Sequence, residues 1–83
     1  MIFAKKEVIE LEQGKKYIIV DTINEDNIWY YYICEVNEDE TAVMDNFRII
    51  TTITEHGNFF IKSVKGNKLE TLEKMFKEKL QID

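Results

Sequence analysis

The chain has 83 residues, of which 45% are hydrophobic and 33% are charged, and its formal net charge at pH 7 is −5. This length holds one domain with one hydrophobic core, and the apolar content lies far above that of disordered chains. An acidic chain lacks the basic surface that phosphate backbones require, so composition argues against a nucleic-acid partner. We predict a single domain over residues 1–83.

The first two predicted strands flank a glycine turn. Residues 2–11 are a mixed segment with some apolar content, and we predict a strand there. Gly14 then allows a turn, because glycine adopts positive φ without steric cost. The β-branched run within residues 16–23 predicts the second strand.

The third predicted strand covers residues 28–36, the longest strand-like run, in which Trp29 precedes three tyrosines. Side chains alternate between the two faces of a strand. One face would carry Ile28, Tyr30, Tyr32, Cys34 and Val36, and the other would carry Trp29, Tyr31, Ile33 and Glu35. Both faces are apolar or aromatic, which is typical of a central strand covered on both sides.

Two further strands are predicted over residues 47–54 and 59–64. The first contains a run of isoleucines and threonines, whose branching at Cβ favours strand over helix. His56 and Gly57 lie between the two runs, and a glycine in a short loop of this kind indicates a hairpin.

The last predicted element is an amphipathic helix over residues 68–81. Its apolar residues recur every three or four positions, namely Leu69, Leu72, Met75, Phe76 and Leu80. Asn67 and Glu70 have the spacing of a capping box, so we predict that Asn67 caps the helix.

These elements predict an α+β fold, an antiparallel sheet of four or five strands with one C-terminal amphipathic helix packed on a face. The helix would cover one face of the aromatic strand. The other face is then exposed, curled into a partial barrel, or paired with a second subunit.

The chain is poorly supplied with catalytic groups. Its one histidine, His56, lies in a predicted turn without a partner. Neighbouring carboxylates in exposed turns share one environment, whereas paired catalytic acids need different environments to separate their pKa values. We therefore expect no enzymatic activity and no small-molecule substrate.

Metal, cofactor and membrane sites are also not indicated. One cysteine and one histidine are too few for a zinc site, the acidic turns lack calcium-loop spacing, and the three glycines are too scattered to form a phosphate loop. No apolar run approaches the roughly 20 residues of a membrane span, and the first residues lack the order of a signal peptide. Cys34 has no partner for an internal disulfide, so we expect a buried thiol in a cytoplasmic protein.

Charge is segregated along the chain. Between Lys16 and Lys62 the only basic residue is Arg48, so this acidic middle has a net charge of −8. Its nine carboxylates are Asp21, Glu25, Asp26, Glu35, Glu38, Asp39, Glu40, Asp45 and Glu55. The flanks have net charges of +1 over residues 1–16 and +2 over residues 62–83. Acidic turns keep a sheet soluble, and they could also attract a basic protein surface.

The candidate binding surface combines the aromatic strand with the two acidic turns that bracket it. Aromatic side chains can stack nucleic-acid bases, but such platforms lie in basic grooves, whereas this segment is acidic. A protein partner fits better, because aromatic anchors supply affinity and complementary charge speeds association. We predict a protein-binding surface formed by Trp29, Tyr31, Glu25, Asp26, Glu38, Asp39 and Glu40.

A resemblance to a known group rests on short motifs across residues 16–80. These are Ile19-Val20-Asp21-Thr22-Ile23, then Tyr30-Tyr31-Tyr32-Ile33, and the closing helix. The chain resembles short sheet-plus-C-terminal-helix proteins of unknown function from low-GC Gram-positive bacteria and their phages. The resemblance implies a sheet capped by a terminal helix and offers no catalytic residues.

The sequence therefore predicts a small non-enzymatic protein-binding module. Its expected setting is a phage or mobile element, where it would inhibit a host nucleic-acid enzyme through an acidic, aromatic surface. The alternative is a homo-oligomeric structural module whose second aromatic face is buried by self-association as a homodimer.

Overall fold

Five antiparallel strands and a C-terminal helix make up the computed structural model, which describes residues 2–80. The elements are β1 (Val8–Glu10), a 3-10 turn (Glu12–Gly14), β2 (Lys16–Glu25), β3 (Ile28–Val36), β4 (Val43–Glu55), β5 (Asn58–Ser63) and α1 (Gly66–Leu80). The strands lie in the sheet in chain order, from β1 at one edge to β5 at the other. The predicted α+β fold, an antiparallel sheet with one C-terminal helix packed on a face, is confirmed, and the sheet is curled.

Tight two-residue turns join β2 to β3 and β4 to β5. Asp26 and Asn27 have φ angles of 53° and 65°, and His56 and Gly57 have φ angles of 52° and 82°. Positive φ at both central residues defines the type I′ turn, whose twist matches that of the flanking strands. Asn and Gly adopt such angles at low cost, so the local sequence fixes both hairpins.

The connection between β3 and β4 is organised by Asn37. Its side-chain oxygen accepts hydrogen bonds from the backbone N–H groups of Thr41 and Ala42, at 2.8 and 3.0 Å. Its side-chain amide donates to the hydroxyl of Thr41 at 2.9 Å. One amide side chain thus orders the second acidic turn, residues 38–40, which lies between these groups.

Several predicted boundaries are wrong. The first strand is limited to Val8–Glu10, β4 begins at Val43, and α1 begins at Gly66. Asn67 therefore lies inside the first turn of the helix, where its backbone carbonyl accepts a hydrogen bond from Thr71, and the predicted capping box is wrong. The predicted helix end at residue 81 lies outside the described residues.

The aromatic strand β3 is central and covered on both faces, as its pattern predicts. On the helix face, Leu72 and Phe76 of α1 pack against Tyr30 and Ile49. The opposite face holds the larger core, formed by Phe3, Ile9, Tyr17, Ile19, Tyr31, Ile33 and Ile50.

The N-terminal segment, residues 2–7, covers this opposite face. The ring of Phe3 meets Tyr31 edge-on, with centroids 5.1 Å apart, and also contacts Phe59 of β5 at 6.2 Å. The backbone N–H of Ile2 donates to the hydroxyl of Tyr31 at 3.2 Å. Of the three alternatives for this face, the curled sheet is the one observed, and a segment of the same chain fills its concavity.

Candidate functional site

The two aromatic residues of the predicted surface belong mainly to the core. Tyr31 is 0% exposed, and Trp29 is half-buried against the same cluster. Tyr31 therefore offers no surface to a partner, and its placement in the predicted site is corrected. The physical reason is the N-terminal segment, whose Phe3 occupies the space in front of the tyrosine ring.

The acidic residues of the predicted surface do not come together. Glu25 and Asp26 lie at one end of β3, and residues 38–40 lie beyond its other end. A strand of this length spans roughly 30 Å. The two acidic turns thus form separate patches at opposite ends of the sheet.

Lysines from the flanks neutralise part of each acidic turn. Lys68 of α1 forms an ion pair with Glu25, and its ammonium lies 5.3 Å from the centroid of the Tyr30 ring. The hydrogen bond to Glu25 raises the pKa of Lys68 above its usual value. Lys16 lies 3.2 Å from the carboxylate of Glu40 and donates to the backbone carbonyl of Glu38 at 3.0 Å.

A buried carboxylate, Asp21, joins three parts of the chain. A bulge in β2 between Ile19 and Asp21 shifts the register and places Asp21 opposite Tyr32, on the helix face. Asp21 is 1% exposed, and one of its oxygens accepts from the backbone N–H of Thr22 at 2.8 Å. The same oxygen lies 3.0 Å from the ammonium of Lys5 and 3.3 Å from that of Lys79.

The environment of Asp21 favours its charged form. Burial alone raises the pKa of the carboxyl, but the hydrogen bonds from Thr22, Lys5 and Lys79 outweigh it, so the net pKa lies below its ordinary value. Asp21 is therefore a structural anchor between the N-terminal segment, β2 and α1. No partner or substrate is needed to explain its burial.

The single arginine of the acidic middle is similarly occupied. Arg48 donates to Glu12 at 2.8 Å and to the hydroxyl of Ser63 at 2.6 Å, and its guanidinium lies 5.5 Å from the centroid of the Tyr17 ring. Within residues 2–80, each of the five ion pairs joins a residue of the acidic middle to a residue of a flank. The charge segregation seen in sequence is thus largely an internal complementarity of the fold.

The main exposed apolar area lies at the ends of the two tight hairpins. We call it the hairpin surface, and it consists of Ile28, Ile53 and Phe60 on the helix face and of Phe59 and Ile61 on the opposite face, on either side of the β5 edge. Phe60 is 55% exposed and pairs across the strands with Ile53, and Ile28 is 44% exposed. An open groove of about 900 Å³ runs along this region, with Tyr30, Lys62 and Lys68 in its lining.

Sequence reasoning missed this surface because it placed the candidate surface on the aromatic strand and the two acidic turns that bracket it. A helix of 15 residues is about 22 Å long and can cover only part of a five-stranded sheet. The available indication in the sequence was the run of three consecutive large apolar residues, Phe59, Phe60 and Ile61, in the last predicted strand.

A smaller exposed apolar area lies at the other end of the sheet. Val43, Met44 and Phe47 are exposed on the part of β4 that extends beyond β5. Phe47 stacks on Tyr32 with centroids 5.3 Å apart, and Tyr32 in turn stacks on Phe76 at 5.2 Å. This area is continuous with the helix core, so part of its apolar character serves packing.

The remaining reactive groups show no catalytic arrangement among the described residues. His56 lies in the exposed turn between β4 and β5. Cys34 is buried, and its thiol lies 3.0 Å from the carbonyl oxygen of Met44. Within residues 2–80 no group of three or more potential ligand side chains is placed to hold a metal ion, and no helix is long and apolar enough to cross a membrane.

Comparisons with known proteins add no assignment. No family model matches the chain, and neither the curated proteins nor the solved structures contain a match. The resemblance described above therefore stays a prediction, and any functional proposal depends on the surface itself.

Proposed function

We propose that this chain is a non-enzymatic protein-binding module that binds through its hairpin surface. The observation that supports this proposal is the exposure of five large apolar side chains at one end of the sheet. Single exposed apolar residues are normal in soluble proteins, but clustered ones mark interaction sites. The hairpin surface thus replaces Trp29 and Tyr31 as the source of affinity.

The arrangement of the hairpin surface suits a protein contact. Ile28, Ile53 and Phe60 share the helix face, beyond the area that α1 covers, and Phe60 lies directly across from Ile53. Removing apolar surface from water stabilises a complex by about 25 cal/mol per Å². Lys62 and Lys68 line the same groove and provide a polar rim.

The charge distribution favours an apolar contact over an acidic one. An inhibitor that imitates nucleic acid would need a continuous acidic surface, whereas Glu25 and Glu40 lie far apart and each is paired with a lysine. Of the predicted role as a phage or mobile-element inhibitor, we therefore retain only binding to a protein.

A photo-crosslinking residue at position 53 tests the proposal. In cells of the native source, we expect the photo-crosslinking residue in place of Ile53 to crosslink to one defined protein. The same residue in place of Val43 is the matched control, and we expect it not to crosslink to that protein. The crosslinked protein is then purified, and its affinity is measured for the double variant Ile53→Ser/Phe60→Ser and for the control Val43→Ser. A loss of affinity limited to the double variant supports the proposal. Equal crosslinking at both positions, or none at position 53, contradicts it.

A further inference from the structure

The outer edge of β5 presents a row of backbone groups that no strand of the described chain pairs with. In an antiparallel pair, alternate residues direct their N–H and C=O groups toward the neighbouring strand. Asn58 pairs with Glu55 across a two-residue turn, and the N–H of Val64 donates to the carbonyl of Ile49 at 3.0 Å. The backbone groups of the even-numbered residues therefore point toward β4. The backbone groups of Phe59, Ile61 and Ser63 therefore point outward.

Within residues 2–80 nothing covers this edge. The helix packs over β2, β3 and β4, and the side chains of residues 58–62 are all exposed. Native proteins commonly protect long apolar edges with charge, proline, bulges or a covering segment. β5 has one lysine, no proline and three consecutive large apolar residues, Phe59, Phe60 and Ile61.

We propose that the β5 edge pairs antiparallel with the β5 edge of a second copy of this chain, with Phe60 opposite Phe60 across a two-fold axis. The two sheets then form one continuous sheet of ten strands. This inference rests on the proposed protein-binding role and names the partner of the hairpin surface.

Backbone geometry and side-chain pairing together select the register. A two-fold axis centred on a residue pairs odd-numbered residues of one copy with odd-numbered residues of the other, so their outward-facing backbone groups meet. An axis between two residues would pair outward-facing groups with groups that point toward β4. Centred on Phe60, the axis places Phe59 opposite Ile61 on one face and Phe60 opposite Phe60 on the other. Centred on Ile61, the axis keeps Ile61 opposite Ile61 but places Phe60 opposite Lys62 and Phe59 opposite Ser63, so both phenylalanines lose their apolar partners. The register centred on Phe60 is therefore the one we assign.

Charge is compatible with this register. Lys62 of one copy lies opposite Asn58 of the second copy, and Asn58 is the strand partner of Glu55 on the same face. The ammonium of Lys62 thus approaches the carboxylate of Glu55 of the second copy, and no like charges lie directly opposite one another. Opposite charges in neighbouring strands stabilise such pairs modestly.

The small size of the contact indicates a weak dimer. A stable interface buries about 800 Å² on each partner, and an edge of six residues buries less. We therefore expect a weak dimer that dissociates at micromolar concentration, detectable as an average molecular mass that rises with protein concentration.

Disulfide trapping tests the register directly. Residues of a non-hydrogen-bonded antiparallel pair have Cα atoms about 4.5 Å apart, within the range that a disulfide spans. We expect Phe60→Cys to form a disulfide-linked dimer under mild oxidation. Lys62→Cys is the matched control, because its two copies lie four residues apart along the strands. Buried Cys34 is present in both variants and cancels in the comparison.

A proline variant separates edge pairing from side-chain contact. Proline is tolerated where an edge N–H faces outward, so Ile61→Pro removes an intermolecular donor while leaving the fold, whereas Ile61→Ala keeps the donor. We expect Ile61→Pro to abolish the dimer in sedimentation velocity and Ile61→Ala to weaken it less. Circular dichroism establishes that both variants remain folded.

The outcomes separate the two proposals. A disulfide in Phe60→Cys but not in Lys62→Cys supports self-pairing, and rapid trapping in Ile61→Cys instead overturns the register. A wild-type chain that stays monomeric up to millimolar concentration, with no trapping in Phe60→Cys, overturns self-pairing. If position 53 nevertheless crosslinks to a different protein, the protein-binding role stands without self-pairing. If position 53 crosslinks to nothing and Phe60→Cys is not trapped, both proposals fail.

Discussion

At the scale of single residues, Asp21 makes the most consequential contacts. Its buried carboxylate receives hydrogen bonds from Thr22 and ion pairs from Lys5 and Lys79, so it fastens the N-terminal segment and the helix to β2. A buried charge is costly without partners, and removing one member of a buried charge cluster is destabilising because the others are left unpaired. Its role in this fold is therefore structural.

Replacing Asp21 with asparagine tests this role. The amide keeps the shape of the side chain but loses the charge, so we expect Asp21→Asn to lower the free energy of unfolding by about 2 kcal/mol in urea titration. Asp45 is an exposed aspartate of β4, and Asp45→Asn is the control, expected to change stability little. Equal effects of the two substitutions would show that Asp21 is not an anchor.

The lowered pKa of Asp21 predicts an acid-sensitive contribution to stability. The folded state holds the carboxyl at a lower pKa than the unfolded chain, where it is about 3.9. The contribution is therefore fully present above that value and is lost as pH falls through the folded-state pKa. We expect the stability difference between wild type and Asp21→Asn to be constant near neutral pH and to shrink below about pH 4. A difference that grows in acid would contradict the assignment.

At the scale of elements, the sequence predicted those parts that depend on local patterns. The type I′ turns at Asn27 and Gly57 follow from residues that tolerate positive φ, and the helix follows from its apolar period. The position of residues 2–6 was not predictable, because Ile2 and Phe3 show no period. Which strand remains exposed was likewise not predictable, since β5 has the composition of a covered strand and only the strand order makes it an edge.

Removing the side chain of Phe3 tests the covering role of the N-terminal segment. Phe3 is 7% exposed, and we expect Phe3→Ala to reduce stability by about 3 kcal/mol and to shift the fluorescence of Trp29 toward longer wavelength as water reaches the concave face. Phe47 is 50% exposed and provides the control, because Phe47→Ala removes a ring from the other face. An unchanged fluorescence maximum in Phe3→Ala would mean that the segment does not seal this face.

At the scale of the whole molecule, the segregation of charge along the sequence has an internal explanation. The basic flanks fold back onto the acidic middle, and the five ion pairs within the described residues all cross between them. Each acidic turn is thereby partly neutralised, and exposed large apolar side chains gather at the ends of the tight hairpins. The structure buries Tyr31 of the predicted site and places the acidic turns at opposite ends of the sheet. Neither outcome was predictable, because ion pairing and the fold of the N-terminal segment do not follow from local patterns.

The dissociation constant of the self-associated chain tests the central claim, which is that the hairpin surface and not the acidic turns provides the binding energy. Sedimentation equilibrium would compare Phe60→Ser with the double variant Glu38→Gln/Asp39→Asn. We expect Phe60→Ser to raise the dissociation constant by about tenfold or more, as for a central aromatic anchor, and the acidic variant to leave it nearly unchanged. The reverse result, with association lost only when the acidic turn is neutralised, would contradict the account.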